Sequence, residues 1–316
     1  MYQGTHLKGF MNNRIAIIDL GTNTCNLLIA ACRNKSYQIL FQGKEVVKLG
    51  KNGIDKNILA DDGLQRAIQA IRNLQERIAQ YDVSKTTVLG TSAIREAKNQ
   101  DWFQSELERE TGITLRIISG EKEAELIFKG VKLAFGEIED QSIILDIGGG
   151  SNEFILTESG EPIWKQSFPL GMARIIDQIP PSDPITPEEI NQINNYFDRG
   201  LDALWKRTAG FEITSLIGCS GAFDTLADLI DQTDPGSKHR IRQELKITDF
   251  ERIYKMLIKS TTDERKQLKG MESIRIDMIV PSVILIKMIV ERLKIQKIYQ
   301  TDYALREGIL YELIFS

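Results

Sequence analysis

The chain has 316 residues, with 40 Lys plus Arg against 44 Asp plus Glu and a net charge of −4. That length exceeds one typical core and suits two domains, while the mild acidity excludes a general attraction to nucleic acid or to an anionic membrane, so a polyanion site must be a local patch. Cys25, Cys32 and Cys219 lack metal-ligand spacing and only two histidines are present, which argues against zinc and for a reducing, cytoplasmic setting.

The first residues are polar and hold no apolar core for a signal peptide; residues 1–12 read as a loose leader with a second start at Met11. Residues 15–30, IAIIDLGTNTCNLLIA, read as strand, turn and strand. Further strand follows at 37–40 and 44–49, and 50–53 turns the chain. From 61 to 81, Leu64, Ala67, Ile68, Ile71, Leu74 and Ile78 recur at spacings of three and four, an amphipathic helix. A short strand at 86–89 leads into a helix start at 90–95, a helix around 101–110 ends at Gly112, strand returns at 114–118, and Ser119-Gly120 opens a helix over 121–132.

From residue 142 the plan repeats as SIILDIGGGSNEFILT, with strands at 143–146, 153–156 and 163–168. A capping box with Pro at the first helical position, Thr186-Pro187-Glu188-Glu189, opens a long helix that Gly210 stops. Residues 213–217 are a buried strand, and 218–221 turn into a helix carrying Leu226 and Leu229. A polar, partly basic loop covers 231–245, and a second capping box, Thr248 to Glu251, opens another helix. The apolar stretch 278–290 is interrupted by Pro281 and Lys287 and falls short of the ~20 residues a bilayer needs, so it reads as a buried helix. Strands and helices alternate, which makes the class α/β.

The duplicated hairpins carry the first chemistry. Glycines let backbone N–H groups approach a ligand closely, and an Asp at a strand end can hold a metal ion or a water. One turn offers Asp19, Gly21, Thr22, Asn23 and Thr24; the other offers Asp146, Gly148, Gly149, Gly150 and Ser151. A single Asp-x-Gly turn is commonplace, but two with matched flanks predict a pair of domains whose turns grip one phosphate chain from both sides. Neither turn is a P-loop or a dinucleotide fingerprint.

The segments IDLGTNT, GTSAIREA, SGEKEAELIFKGV, LDIGGGS, FPLGMARI, IGCSGAF, RIDMIVPS and ALREGILYE, in that order over almost the whole chain, resemble the exopolyphosphatase and guanosine-pentaphosphate phosphatase family of the actin-like superfamily. The resemblance implies two actin-like, ribonuclease H-like domains with the active site in the cleft between them. It places domain I at residues 1–124 plus 302–316 and domain II at 125–301, the short form without the helical extension of longer members. It further implies a cytoplasmic homodimer that hydrolyses the terminal phosphate of polyphosphate or guanosine pentaphosphate with a divalent cation, usually magnesium, held by Asp146 and Asp19.

By the same resemblance Glu123 falls on the catalytic base of the family's S-G-x-E-E-A segment. Read alone, Glu121, Glu123 and Glu125 are also what a helix N-terminus favours. Lys122 stands where the family usually has Glu, and Glu125 where Arg is common. Arg95 and Arg174 carry forks suited to phosphate, although bare sequence makes each an ordinary surface arginine. Gly218, Ser220 and Gly221 resemble the second-domain glycine turn; Ala222 replaces the usual hydroxyl there, and Ser282 replaces a later Gly. Cys219 reads as a packing residue. Lys44, Lys48, Lys51, Lys238 to Arg242, Arg265, Lys266 and Lys269 are candidates for a path along a long polyanion, or simply solvated charges.

The expected activity is thus a phosphohydrolase with Glu123 activating water. Two rivals share the hairpins: an actin-like kinase acting on a small acceptor, against which the S-G-x-x-E-A and A-L-R-E-G segments argue, and a non-catalytic alarmone-binding protein, against which retention of Glu123 argues.

Overall fold

The computed structural model describes residues 13–51, 53–138 and 141–315; the leader read at 1–12 lies outside them. The chain divides into two compact units, one running to Gly130 and taking back the stretch from Leu305, the other spanning Val131–Ala304.

The first unit carries β1 (Arg14–Leu20), β2 (Thr24–Arg33), β3 (Ser36–Val46), α1 (Asp61–Ile78), β4 (Lys85–Gly90), α2 (Ser92–Arg95), α3 (Gln100–Thr111), β5 (Arg116–Ile117) and most of α4 (Gly120–Phe135). Its sheet runs β3-β2-β1-β4-β5, with β2 antiparallel to both neighbours and β4 parallel to β1. Central strands covered on both faces read as unbroken apolar runs, as 15–18 do. Ile17, Ile18, Leu27 and Leu28 are fully buried, each contributing about 1.5–3 kcal/mol by leaving water. The apolar stripe of α1 covers one face of this sheet, and Gly112 closes α3 with φ 69°.

The second unit repeats the plan with β6 (Ser142–Ile147), β7 (Asn152–Glu158), β8 (Glu161–Phe168), α5 (Met172–Gln178), α6 (Pro187–Gly200), α7 (Asp202–Thr208), β9 (Ser215–Cys219), α8 (Gly221–Asp231), β10 (Gln243–Leu245), α9 (Ile247–Leu257), α10 (Thr262–Gln267), α11 (Ile279–Arg292) and β11 (Lys297–Thr301). The order β8-β7-β6-β9-β11 matches the first sheet strand for strand, and β10 adds an antiparallel edge. The ribonuclease H-like arrangement expected of each half is therefore present.

Local departures have local causes. The long helix expected from Thr186 to Gly210 breaks at Leu201, because Gly200 gives up its side chain to the Leu170 isobutyl group and Leu201 turns inward. Thr186 and Glu189 form their capping box, but Thr248 and Glu251 do not: α9 starts before them, at Ile247, and the second box is Thr261 with Glu264 on α10. The polar loop 231–245 ends as β10, and β11 and α5 form where no strand or helix was read. The apolar run 278–290 is α11, buried along most of its length, and no described helix is long and apolar enough to cross a membrane.

The chain ends in α12 (Leu305–Phe315), which packs on α4. A Cβ on Gly308 would overlap the Leu126 carbonyl, so glycine sets that approach. Beside it, Lys122 and Lys129 each pair with both Glu125 and Glu312, at 2.5–3.0 Å. The hydrogen bond from Lys129, helped by Lys122, holds the Glu125 carboxyl down at about 2. A carboxyl lowered by folding contributes stability that is complete above its ordinary 4.5 and is lost as pH falls from there toward 2. With these side chains about a third exposed, the term is ~1 kcal/mol. Glu125→Gln should lower the unfolding free energy by that amount at pH 7, and the two unfolding curves should converge near pH 2; a gap independent of pH would refute the pairing.

Candidate active site

Both hairpins close on the same bond. Gly21 N–H donates to the Thr24 carbonyl at 2.9 Å, and Gly148 N–H to the Ser151 carbonyl at 3.0 Å. A Cβ would stand 3.2 Å from the first carbonyl, a tight contact, and 2.5 Å from the second, so position 148 needs glycine. The ladders set Asp19 across from Asn26 and Asp146 across from Glu153, each acid one residue before its strand ends.

In the second unit the three glycine carbonyls are all engaged on one side. Gly148 O accepts from Met172 N–H at 3.0 Å, Gly149 O from Ala173 N–H at 2.8 Å, and Gly150 O from Gly171 N–H at 3.3 Å and from Arg174 Nε at 3.0 Å. A trans peptide points its N–H opposite its carbonyl. The amides of Gly149, Gly150 and Ser151 therefore turn away from α5 together, the arrangement that makes an anion-binding concavity. In the first unit Thr22 O accepts from Leu49 N–H, and Asn23 O from Val47 and Lys48 N–H, which turns the amides of Asn23 and Thr24 to the other side in the same way.

Arg174 is buried on α5 and holds the glycine turn from its carbonyl side. Gly218 lies inside β9 rather than in the turn after it, its missing side chain filled by the Phe223 ring. Ser220 and Gly221 form the β9–α8 junction: Ser220 Oγ donates to Asp146 Oδ2 at 2.8 Å, and the Arg275 guanidinium fills the space beside Gly221.

In the first unit Arg95 and Glu123 come together. Arg95 Nη1 donates to Glu123 Oε2 at 2.7 Å and also reaches the Ile118 carbonyl at 3.3 Å. Ser119 opens α4 by accepting Lys122 N–H on its hydroxyl and Glu123 N–H on its carbonyl. Glu123 is buried on the side of α4 that meets Arg95, while Lys122, Glu125 and Lys129 share the stripe toward α12. The two departures from the family pattern thus belong to the α4–α12 ion network.

Asp19 is a buried acid with one oxygen left unpartnered. Asn26 Nδ2 approaches its Oδ2 at 3.4 Å, while Oδ1 is buried without a hydrogen-bond partner. Burial pushes its carboxyl up to about 6, with Glu307 adding to the rise and Arg306 and Asn26 opposing it.

Sequence reasoning assigned no role to three residues beside these turns. Glu153, buried across from Asp146, accepts hydroxyl hydrogens from Ser151 and Ser167, both at 2.6 Å; its signal was a carboxylate on the first turn of strand after the glycines. Arg306, in the ALREG segment, lies near Asp19 and donates to the Leu27 carbonyl. Arg275, in the RIDMIVPS segment, is the third. Of the candidate polyanion path, Arg240 is buried against Asp228 and Asp231, Lys238 pairs with Asp231, Arg265 is buried and donates to the Ser260 and Ile276 carbonyls, and Lys266 pairs with Asp263. Cys219 and Ala222 are fully buried packing residues, and the Ser282 hydroxyl donates to Met278 O within its own helix turn.

The model of the Ppx/GppA phosphatase family matches residues 28–316. The chain belongs to that family. The crystal structure of an exopolyphosphatase from Cytophaga hutchinsonii aligns with a TM-score of 0.91 at 36% identity, over 96% of this chain and 98% of that one. Exopolyphosphatase 1 of Mycobacterium leprae is 25% identical over 96% of this chain and 90% of its own length. Guanosine-5'-triphosphate,3'-diphosphate pyrophosphatase of Pseudoalteromonas translucida is 26% identical over 96% of this chain and 59% of its own.

Among the described residues no three or more His, Cys, Asp or Glu side chains gather into a metal cage. A magnesium ion needs none, since it keeps waters and takes one or two carboxylates plus substrate phosphate oxygens. Each unit offers a carboxylate of that kind, Asp19 with its partnerless Oδ1 in the first and Asp146 in the second.

The Ppx/GppA glycine turn depends on Gly171 as well as on its own glycines, because a Cβ there would overlap the Gly149 and Gly150 backbone. Gly171→Ala should force the turn off α5 and lower stability by about 1–3 kcal/mol in urea unfolding. A midpoint equal to that of the native protein would mean the turn can shift without cost.

Proposed function

We propose that this protein hydrolyses the terminal phosphoanhydride bond of inorganic polyphosphate and of guanosine pentaphosphate, releasing inorganic phosphate. The observation that carries the reading is the part-buried Arg95–Glu123 pair at the start of α4, in a chain of the Ppx/GppA phosphatase family. The names of the relatives supply the two substrate classes. Neither the kinase nor the non-catalytic reading has a comparable observation behind it.

Water is a poor nucleophile toward a phosphoanhydride unless it is oriented and relieved of a proton. Glu123 is the acceptor: its carboxylate, fixed by Arg95 and by its place in the first turn of α4, takes the proton as the water oxygen bonds to the terminal phosphorus. The bridging P–O bond breaks, and the shortened chain leaves as the anion. Arg95 sits where its fork can take up phosphoryl charge as well as orient Glu123. The amides of Gly149, Gly150 and Ser151, and in the first unit those of Asn23 and Thr24, bind phosphate oxygens; Gly21 keeps its hairpin tight, while Gly218 and Gly221 make room for Phe223 and Arg275. Arg174 acts through the turn it holds. Asp146 and Asp19 are the carboxylates that would bind a magnesium ion, which would neutralise charge on the phosphate chain. The protein works in the cytoplasm as a homodimer.

With magnesium present, the native protein should release phosphate from long-chain polyphosphate or from guanosine pentaphosphate, and chelation should stop it. Glu123→Gln should reduce turnover by about 10²–10⁴-fold in a protein that still unfolds cooperatively, at a somewhat lower midpoint because Arg95 loses its ion pair. No release from either substrate, or turnover that survives the substitution, would overturn the reading.

A further inference from the structure

Ser220 adopts φ 68° and ψ 172°, a combination open to glycine and costly for a residue with a Cβ. The chain on either side leaves it no way to relax. Upstream, Cys219 pairs in the sheet with Asp146 and Thr301, and the Phe223 ring covers Gly218. Downstream, the Ser220 carbonyl accepts Phe223 N–H at 3.0 Å and Asp224 N–H at 3.2 Å to start α8, and the Arg275 guanidinium fills the space where a Gly221 side chain would stand. Backbone strain that its surroundings over-determine concentrates at working sites.

The hydroxyl shows what the strained conformation accomplishes. Ser220 Oγ lies 2.8 Å from Asp146 Oδ2. An ionised carboxylate only accepts hydrogen bonds, so the serine donates. Serine has one hydroxyl hydrogen, and given to Asp146 it is not available to a phosphate oxygen.

We infer that Ser220 is a positioning residue for Asp146, holding the carboxylate in one rotamer, rather than a phosphate ligand. Phosphate contact in this unit then falls to the main-chain amides of the glycine turn. The inference rests on the proposed role of Asp146 in holding the cation.

Ser220→Ala and Ser220→Gly both delete the hydroxyl, but only alanine keeps the strained Cβ. Both should lower kcat for phosphate release about 10- to 100-fold, the range for losing a group that orients a metal ligand, with KM for polyphosphate little changed. In an Asp146→Asn background the same changes should add nothing. The glycine variant should melt about 2–4 °C above the alanine variant, since relief of the strain outweighs the extra unfolded-state entropy of glycine. In a crystal structure of the glycine variant the Asp146 carboxylate should leave its present rotamer. An unmoved Asp146, or a rise in KM with kcat preserved, would overturn the inference and return Ser220 to the phosphate. Should the native protein release no phosphate from either substrate, the proposed function fails, and the Asp146 rotamer and the two melting points still decide this point.

Discussion

Three carbonyl groups in a row, those of Gly148, Gly149 and Gly150, are bound by the start of α5 and by Arg174, and much else in the second unit depends on that constraint. Peptide planarity converts it into function, because fixing the carbonyls on one side fixes the amides on the other. The turn is thus held in one arrangement by its own unit. Glycine is required at 148 for the hairpin bond and at 171 for the helix to come close enough to supply its donors. The first unit reaches the same result with other partners, using the 47–49 backbone in place of a helix.

The acids near these turns show a common device. Each has an identified donor that constrains its orientation: Arg95 for Glu123, Ser220 for Asp146, Ser151 and Ser167 for Glu153, and Asn26 at longer range for Asp19. Carboxylates held this way lose little rotamer freedom when they act, which is the advantage of preorganisation. Hydroxyls that sequence reasoning assigned to phosphate, those of Ser151 and Ser220, turn out to face carboxylates. Asp19 differs from the rest, since its donor is weak and one oxygen lies buried with none, and burial accordingly favours its protonated form.

The charge changes next to Glu123 in the sequence are turned away from it in the fold. Lys122 and Glu125 flank Glu123 in the chain but lie on another face of α4, where they and Lys129 meet Glu312 of α12. The helical period separates the two functions: one stripe faces Arg95 and the other fastens the returning C-terminal helix.

The amino-acid sequence alone was enough for the α/β class, the duplicated strand-turn-strand, α1, the Thr186 capping box and the family, because these depend on periodicity, turn chemistry and ordered motifs within short stretches. It marked the glycine turns and Glu123 for the same reason. It could not show that α6 ends at Gly200, that α9 starts ahead of its apparent cap, or that Arg240 and Arg265 lie inside, since packing partners distant in the chain decide each of these. Nor could it show which hydrogen each serine gives away. Ser151, Ser220 and Arg174 carry the same donors whatever they face, and only the fold sets the carboxylates and carbonyls found beside them.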